Sequence, residues 1–249
     1  MITFADLAWT FPDAYTRGYP REWKRWGKRA SRDTIYVLLQ HDVDAAPERT
    51  LAVLELEAAR GLRSNVMVFA RRHDPWKLEH GELEYLDYDI GVPRLQELER
   101  AGFVVGYHSC AVEQSLWDLT EAQRRFRDDV RLLRASFDIR FFNPHGGVAG
   151  PNGENNNAVT LPLWLRCSLK WVSNRHGCRF SGAYSDGELY GKPLDDRDLR
   201  AFVRSWKPGK RYRVSTHPQY YGAAAPVEQL AGVPWYGDLF GRSPAEIWA

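Results

Sequence analysis

Two hydrophobic rhythms alternate along the chain. Ile35-Tyr36-Val37-Leu38-Leu39 is an unbroken apolar, β-favouring run, the pattern of a strand buried on both faces. From Pro47 the spacing turns helical, with Leu51, Leu54 and Ala58 on one face and Gly61 just past the end. Val66-Met67-Val68-Phe69 predicts a second strand. Val92 to Arg100 reads as a helix that stops at Gly102, and Phe103-Val104-Val105 as a third strand. Thr120 and Gln123 form a capping-box pattern ahead of a helix carrying Phe126, Val130, Leu133 and Phe137 on one face. Arg140-Phe141-Phe142 is a short fourth strand, Leu169 to Val172 a fifth, Arg179 to Tyr184 a sixth and Tyr212 to Ser215 the last, with a helix over Asp195 to Val203 before it. Gly150 to Asn157 is turn chemistry and predicts a loop.

Strands that alternate with helices predict an α/β fold with a parallel sheet, open or closed into a barrel. The 249 residues suit a single α/β barrel, and without repeats, heptads or a linker they read as one domain over 1–249. Hydrophobic residues at 44% and charged residues at 27% exclude intrinsic disorder. A net charge of +2 excludes a dedicated nucleic-acid or polybasic membrane protein. No apolar run has the length of a membrane span. Met1 to Trp26 lacks an apolar core followed by a small-residue cleavage site, so the expected location is the cytoplasm. Cys110, Cys167 and Cys178 are an odd set at irregular spacing and read as free thiols. Residues 1–33 carry Arg17, Arg21, Lys24, Arg25, Lys28, Arg29 and Arg32 among Tyr19, Trp23 and Trp26, and read as a basic, aromatic extension with a solvated face.

Position brings in chemistry. His41, Asp42 and Asp44 follow the first strand directly, His108 the third, His145 the fourth and His217 the last. Four of the chain's 7 histidines thus fall at strand ends, where parallel α/β folds assemble their active sites. His73, His80 and His176 lie in polar segments and are assigned no role. A carboxylate and two imidazoles from separate strands make a recurrent site for Zn²⁺ or Fe²⁺ with positions left open. A second carboxylate can serve as general base and a further histidine as general acid. These residues point to a metal-assisted hydrolase or an Fe(II) oxygenase.

From about Ile35 to Tyr221 the chain resembles the polysaccharide deacetylase family, the NodB-homology or carbohydrate esterase family 4 group, in the branch whose first motif reads His-Asp-Val-Asp. The resemblance implies a distorted (β/α) barrel of about seven parallel units. It further implies a divalent metal, with zinc first and cobalt, nickel or iron as alternatives, and hydrolysis of an acetamido group on a sugar. By position, His41-Asp42-Val43-Asp44 resembles the first motif, with Asp42 as base and Asp44 as metal ligand. Gly106-Tyr107-His108-Ser109 resembles the second, with His108 on the metal. Phe142-Asn143-Pro144-His145-Gly146-Gly147 occupies the third, and Ser215-Thr216-His217-Pro218 resembles the last, whose histidine protonates the leaving amine.

The chain departs from the family where a second metal-binding histidine is replaced by Val112 and a base-positioning arginine by Phe142. His145 is the expected replacement ligand, and Arg140 a partial substitute for the arginine. Tyr184-Ser185-Asp186 stands nearest to the fourth motif, which makes Asp186 a substrate-binding candidate beside Asn143 and Trp171. Trp117, Trp164, Trp206 and Trp235 are further aromatic candidates for sugar stacking, although such residues more often fill cores. The expected function is metal-dependent removal of an acyl group, N-acetyl first, from a sugar or small amide. An Fe(II) oxygenase and a non-catalytic sugar-binding relative stand as alternatives. A carbohydrate or small molecule is the expected partner, with neither nucleic acid nor membrane.

Overall fold

In the computed structural model, residues 36–45, 47–59, 63–147, 149–157, 167–171, 180–185, 202, 205–207 and 209–218 are described. The predicted helix over 195–203, the basic segment 1–33, His176, Cys178, Asp186, Trp164 and Trp235 fall wholly or nearly so outside them.

The first strand, β1 (Tyr36–Val43), is followed by helix α1 (Pro47–Ala59) and β2 (Asn65–Val68). A small hairpin that the sequence pattern did not reveal comes next: β3 (Arg72–His73) pairs antiparallel with β4 (Tyr85–Leu86) around the short helix α2 (Pro75–Glu79). Helix α3 (Val92–Arg100) leads to β5 (Val104–Ser109), a 3₁₀ turn (Glu113–Ser115), helix α4 (Leu119–Arg134) and β6 (Phe141–Pro144). The sheet is completed by β7 (Lys170–Trp171), β8 (Gly182–Ser185) and β9 (Arg211–Thr216). Helix α4 starts two residues earlier than the Thr120 pattern predicts. Asp118 is its N-cap and accepts from the backbone N–H groups of Thr120 and Glu121, a stronger cap than the threonine.

Among the described residues, seven strands form one sheet in the order β7-β6-β5-β2-β1-β9-β8, every pairing in it parallel. From β1 the strands run in chain order one way to β7, and the last strand, β9, returns to pair with β1 on its other side. Among the described residues that is a singly wound order, with β7 and β8 at its two ends. Right-handed crossovers in a single direction put the helices on one face, so the sheet curls around the other. The result is an α/β fold, a distorted (β/α) barrel of parallel strands.

Side-chain alternation divides each strand between two environments. Val43, Val66, Val68, Val105, Tyr107 and Phe142 face outward and pack with Leu54, Leu95, Leu98, Phe126 and Val130 of the helices in one buried cluster. The opposite face carries Gln40 and Asp42 of β1, His108 of β5, Asn143 of β6 and Ser215 of β9, all 5% exposed or less. A barrel interior this polar is costly unless every group has a partner or a ligand. Trp206 is 1% exposed and stacks on Tyr212, so it belongs to the core and not to a sugar platform. Trp117 is likewise packed against the core cluster.

Candidate metal centre

Alternation splits the His-Asp-Val-Asp run. Asp42 and Asp44 lie on the inner side of β1, while His41 turns outward. There His41 Nε2 meets Glu57 Oε1 of α1 at 3.0 Å and its Nδ1 meets Thr216 Oγ1 at 2.7 Å, with both charged-type partners buried. His41 therefore ties strand to helix and takes no part in the site.

On the inner side, His108, His145 and His217 converge on Asp44. His108 Nε2 lies 3.1 Å from Asp44 Oδ1, His145 Nε2 3.8 Å from Oδ2 and His217 Nε2 3.5 Å from Oδ2. Parallel register explains the convergence: His108 is level with Asn143, two residues before His145, and Gln40 is level with Ser215, two residues before His217. Phe69, just beyond β2, stacks on the His108 ring at 5.1 Å and meets the His145 ring edge-on at 5.3 Å, fixing both planes. Tyr88 holds the base of this arrangement, donating to Val43 O at 2.5 Å and accepting from Phe69 N at 3.2 Å.

The donor set fits a divalent cation. His108 Nδ1 lies 2.9 Å from the Asn143 carbonyl oxygen, so it carries the proton and Nε2 presents a lone pair. Nε2 is buried and faces a carboxylate oxygen, Asp44 Oδ1, at 3.1 Å. Such a pair is stable with a positive charge between the two atoms, which a proton or a bound cation supplies. Asp44, His108 and His145 each offer one ligand atom, all within 4.8 Å of one another. Burial alone would raise the Asp44 carboxyl; His108, then His145 and His217, overcome it and hold Asp44 well below the usual carboxylate range. Burial opposes charge on His108 too, and Asp42 and Asp44 outweigh it, raising the imidazole above its ordinary value.

His145 is oriented by a residue that sequence reasoning missed. Its Nδ1 lies 2.9 Å from Glu113 Oε2, and Glu113 is 1% exposed. The same oxygen accepts from Cys110 Sγ at 2.7 Å and from Asn156 Nδ2 at 3.1 Å. Burial would raise the Glu113 carboxyl, but His145, Cys110 and Asn156 pull it down to about 2. A carboxylate behind a metal-facing imidazole fixes its tautomer and sharpens its ligand. Asn156 belongs to the loop predicted over Gly150 to Asn157; its side chain is buried and also accepts from Val112 N at 3.0 Å. Val112 itself is in the outer core, so the residue that stands where a second histidine was expected cannot face the site.

Asp42 has its own supports. Gln40 Nε2 donates to Oδ1 at 2.6 Å and Ser215 Oγ to Oδ2 at 3.1 Å, while His217 Nε2 stands 4.0 Å from Oδ2. The cation beside Asp42 is Arg213 of β9, whose guanidinium loses basicity through burial and regains some through Asp42. Arg140 does not fill that place. It is exposed and pairs with Asp138, and the position two residues on, Phe142, faces outward onto Phe126.

These groups line a cavity of about 720 Å³ whose wall includes Asp42, Asp44, His108, Asn143, His145, Arg213 and His217. Asn143 thus reaches the site. Trp171 is described only in its backbone, level with Phe142 on β7, and Asp186 lies outside the described residues. His73, to which the sequence assigned no role, is buried and lines the same cavity.

No family model and no curated protein matches the chain. Among solved structures, it is similar to a carbohydrate esterase family 4 enzyme from Streptococcus mutans, at 16% identity over 90% of each chain and a TM-score of 0.47. It is similar to a family 4 pseudoenzyme from Bacillus anthracis at 16% identity and a TM-score of 0.46, over 82% of this chain and 60% of that one. The chain thus spans about three-fifths of the length of that relative. A third is a family 4 acetyl xylan esterase from Clostridium thermocellum in complex with a cobalt ion, at 13% identity over 83% of this chain and 82% of that one, with a TM-score of 0.44.

Proposed function

We propose that the chain is a metal-dependent hydrolase that removes an acyl group, N-acetyl above all, from an amino sugar or a small amide. The observation that carries this reading is the meeting, at one end of the barrel, of a ligand triad with a second carboxylate and a third histidine. Asp44, His108 and His145 would hold the ion. When bound, a divalent cation of the zinc class polarises an acyl carbonyl and makes water acidic at neutral pH.

The chain's own groups supply the proton traffic. Asp42, held at both oxygens by Gln40 and Ser215, takes a proton as water adds to the carbonyl carbon. His217 gives a proton to the nitrogen as the C–N bond breaks, so the products are a carboxylic acid and an amine. Asn143 on the cavity wall is positioned to orient the substrate. The cavity volume of about 720 Å³ suits a ligand of sugar size.

An Fe(II) oxygenase uses a similar two-histidine, one-carboxylate donor set but has no need of a matched base and acid on either side of it. The Asp42–His217 pair favours hydrolysis. His217→Ala tests the assignment chemically: it should abolish amide cleavage yet retain hydrolysis of an activated phenyl ester, whose leaving group needs no proton. Equal loss on both substrates would remove His217 from the acid role.

A further inference from the structure

On the far side of His145 from Asp44, three more ligand-type side chains converge. His73 ends β3, Cys110 follows β5, and Glu113 opens the 3₁₀ turn. They are 6%, 2% and 1% exposed, and their ligand atoms all lie within 4.8 Å of one another. Cys110 Sγ is 3.5 Å from His73 Nδ1 and 2.7 Å from Glu113 Oε2.

Orientation makes this more than proximity. Gln114 Nε2 donates to the Arg71 carbonyl at 2.7 Å, which fixes that end of the amide as nitrogen. The same nitrogen stands 3.4 Å from His73 Nδ1, which makes Nδ1 the unprotonated, ligand-capable nitrogen of the ring, 3.5 Å from the sulfur. In tetrahedral zinc, bonds of about 2.3 Å to sulfur and about 2.05 Å to nitrogen separate the two ligands by roughly 3.5 Å. His73 and Cys110 already stand at that separation. The shorter sulfur–oxygen contact is that of a thiol proton shared with Glu113, the proton a cation would replace.

Charge separates the two groups. Thiolate and carboxylate together neutralise a divalent ion, whereas Asp44 with two neutral imidazoles leaves net positive charge. Sulfur selects zinc and cobalt over magnesium or calcium. Entry is available, because His73 and Glu113 both line the cavity. We propose that His73, Cys110 and Glu113 form a second divalent-cation site of the zinc and cobalt class, next to Asp44–His108–His145 and separate from it. A cation there would steady Glu113, and through it His145, so the two sites would load cooperatively. This site stands or falls independently of the acyl-hydrolase reading.

Titration of the metal-stripped full-length chain with cobalt(II), followed by absorption and by metal content, tests it. The expected result is two equivalents bound and a thiolate-to-cobalt charge-transfer band in the near ultraviolet. Cys110→Ser should lose the band and one equivalent, His73→Gln should lose one equivalent, and Asp44→Asn should keep the band. Absence of the band in the unmodified chain at saturating cobalt overturns the proposal, and that result depends on no variant's folding. A band that survives in Cys110→Ser, or one that Asp44→Asn removes as completely, also overturns it.

Discussion

Glu113 Oε2 and His145 Nδ1 meet at 2.9 Å, and through this contact a carboxylate on a 3₁₀ turn governs an imidazole at the end of β6, 32 residues away. Removing the charge while keeping the shape should loosen the ligand without displacing it. Glu113→Gln is expected to weaken zinc binding by about 10–100-fold, the usual cost of losing such a support. Competition with a chelator reads this directly; unchanged affinity would contradict the role.

Gly147 shows how tightly that contact is enclosed. A Cβ built there would lie 1.7 Å from Glu113 Oε1 and 2.7 Å from His145 Cε1. Gly147→Ala should therefore push the carboxylate off His145, with loss of metal comparable to that of Glu113→Gln. Full metal content in the alanine variant would show that the loop yields more easily than the packing implies.

His41 should behave in the opposite way to its neighbours Asp42 and Asp44. Its hydrogen bond with Glu57 is fully buried, and leaving a buried polar group without its partner costs about 1–3 kcal/mol. His41→Ala is expected to lower the denaturation midpoint sharply while the folded fraction keeps its metal. Loss of metal at unchanged stability would place His41 in the site after all.

Asp129 gives a dependence on pH away from the cavity. Burial raises its carboxyl above the ordinary value, and the Tyr107 hydroxyl at 2.7 Å and Arg71 offset this only in part. The folded chain then holds this proton more tightly than the unfolded chain, so stability falls as pH rises from the unfolded carboxylate value through the folded one. Above both values the penalty is constant. Asp129→Asn should be more stable than the parent at pH 7, with the gain shrinking toward pH 4, by thermal melts. A variant less stable than the parent at pH 7 would show that the charged form is worth more than its burial costs.

The sequence made β1, β2, β5 and β6 legible because each carries an apolar run, and it made the strand-end residues legible because polar groups interrupt those runs abruptly. It did not reveal which face each polar group takes. In His-Asp-Val-Asp, period two sends His41 to a helix and both aspartates to the cavity, a division that needs only the strand's phase. The same phase turns Phe142 outward and disqualifies a cation at that position, leaving Arg213 on another strand beside Asp42. Glu113, His73 and Asn156 carry no local signal, since a hairpin, a 3₁₀ turn and a loop bring them together from distant parts of the chain.

The central claim is that Asp42 moves the proton while Asp44, His108 and His145 hold the metal. Its most direct test is acetate release from an N-acetylated amino sugar by the zinc- or cobalt-loaded chain, measured beside Asp42→Asn with metal content determined on the same samples. The account predicts turnover by the unmodified chain and a loss of about 10²–10⁴-fold in the variant at unchanged metal content. A variant that keeps its full rate, or an unmodified chain whose rate survives removal of the metal, would contradict it.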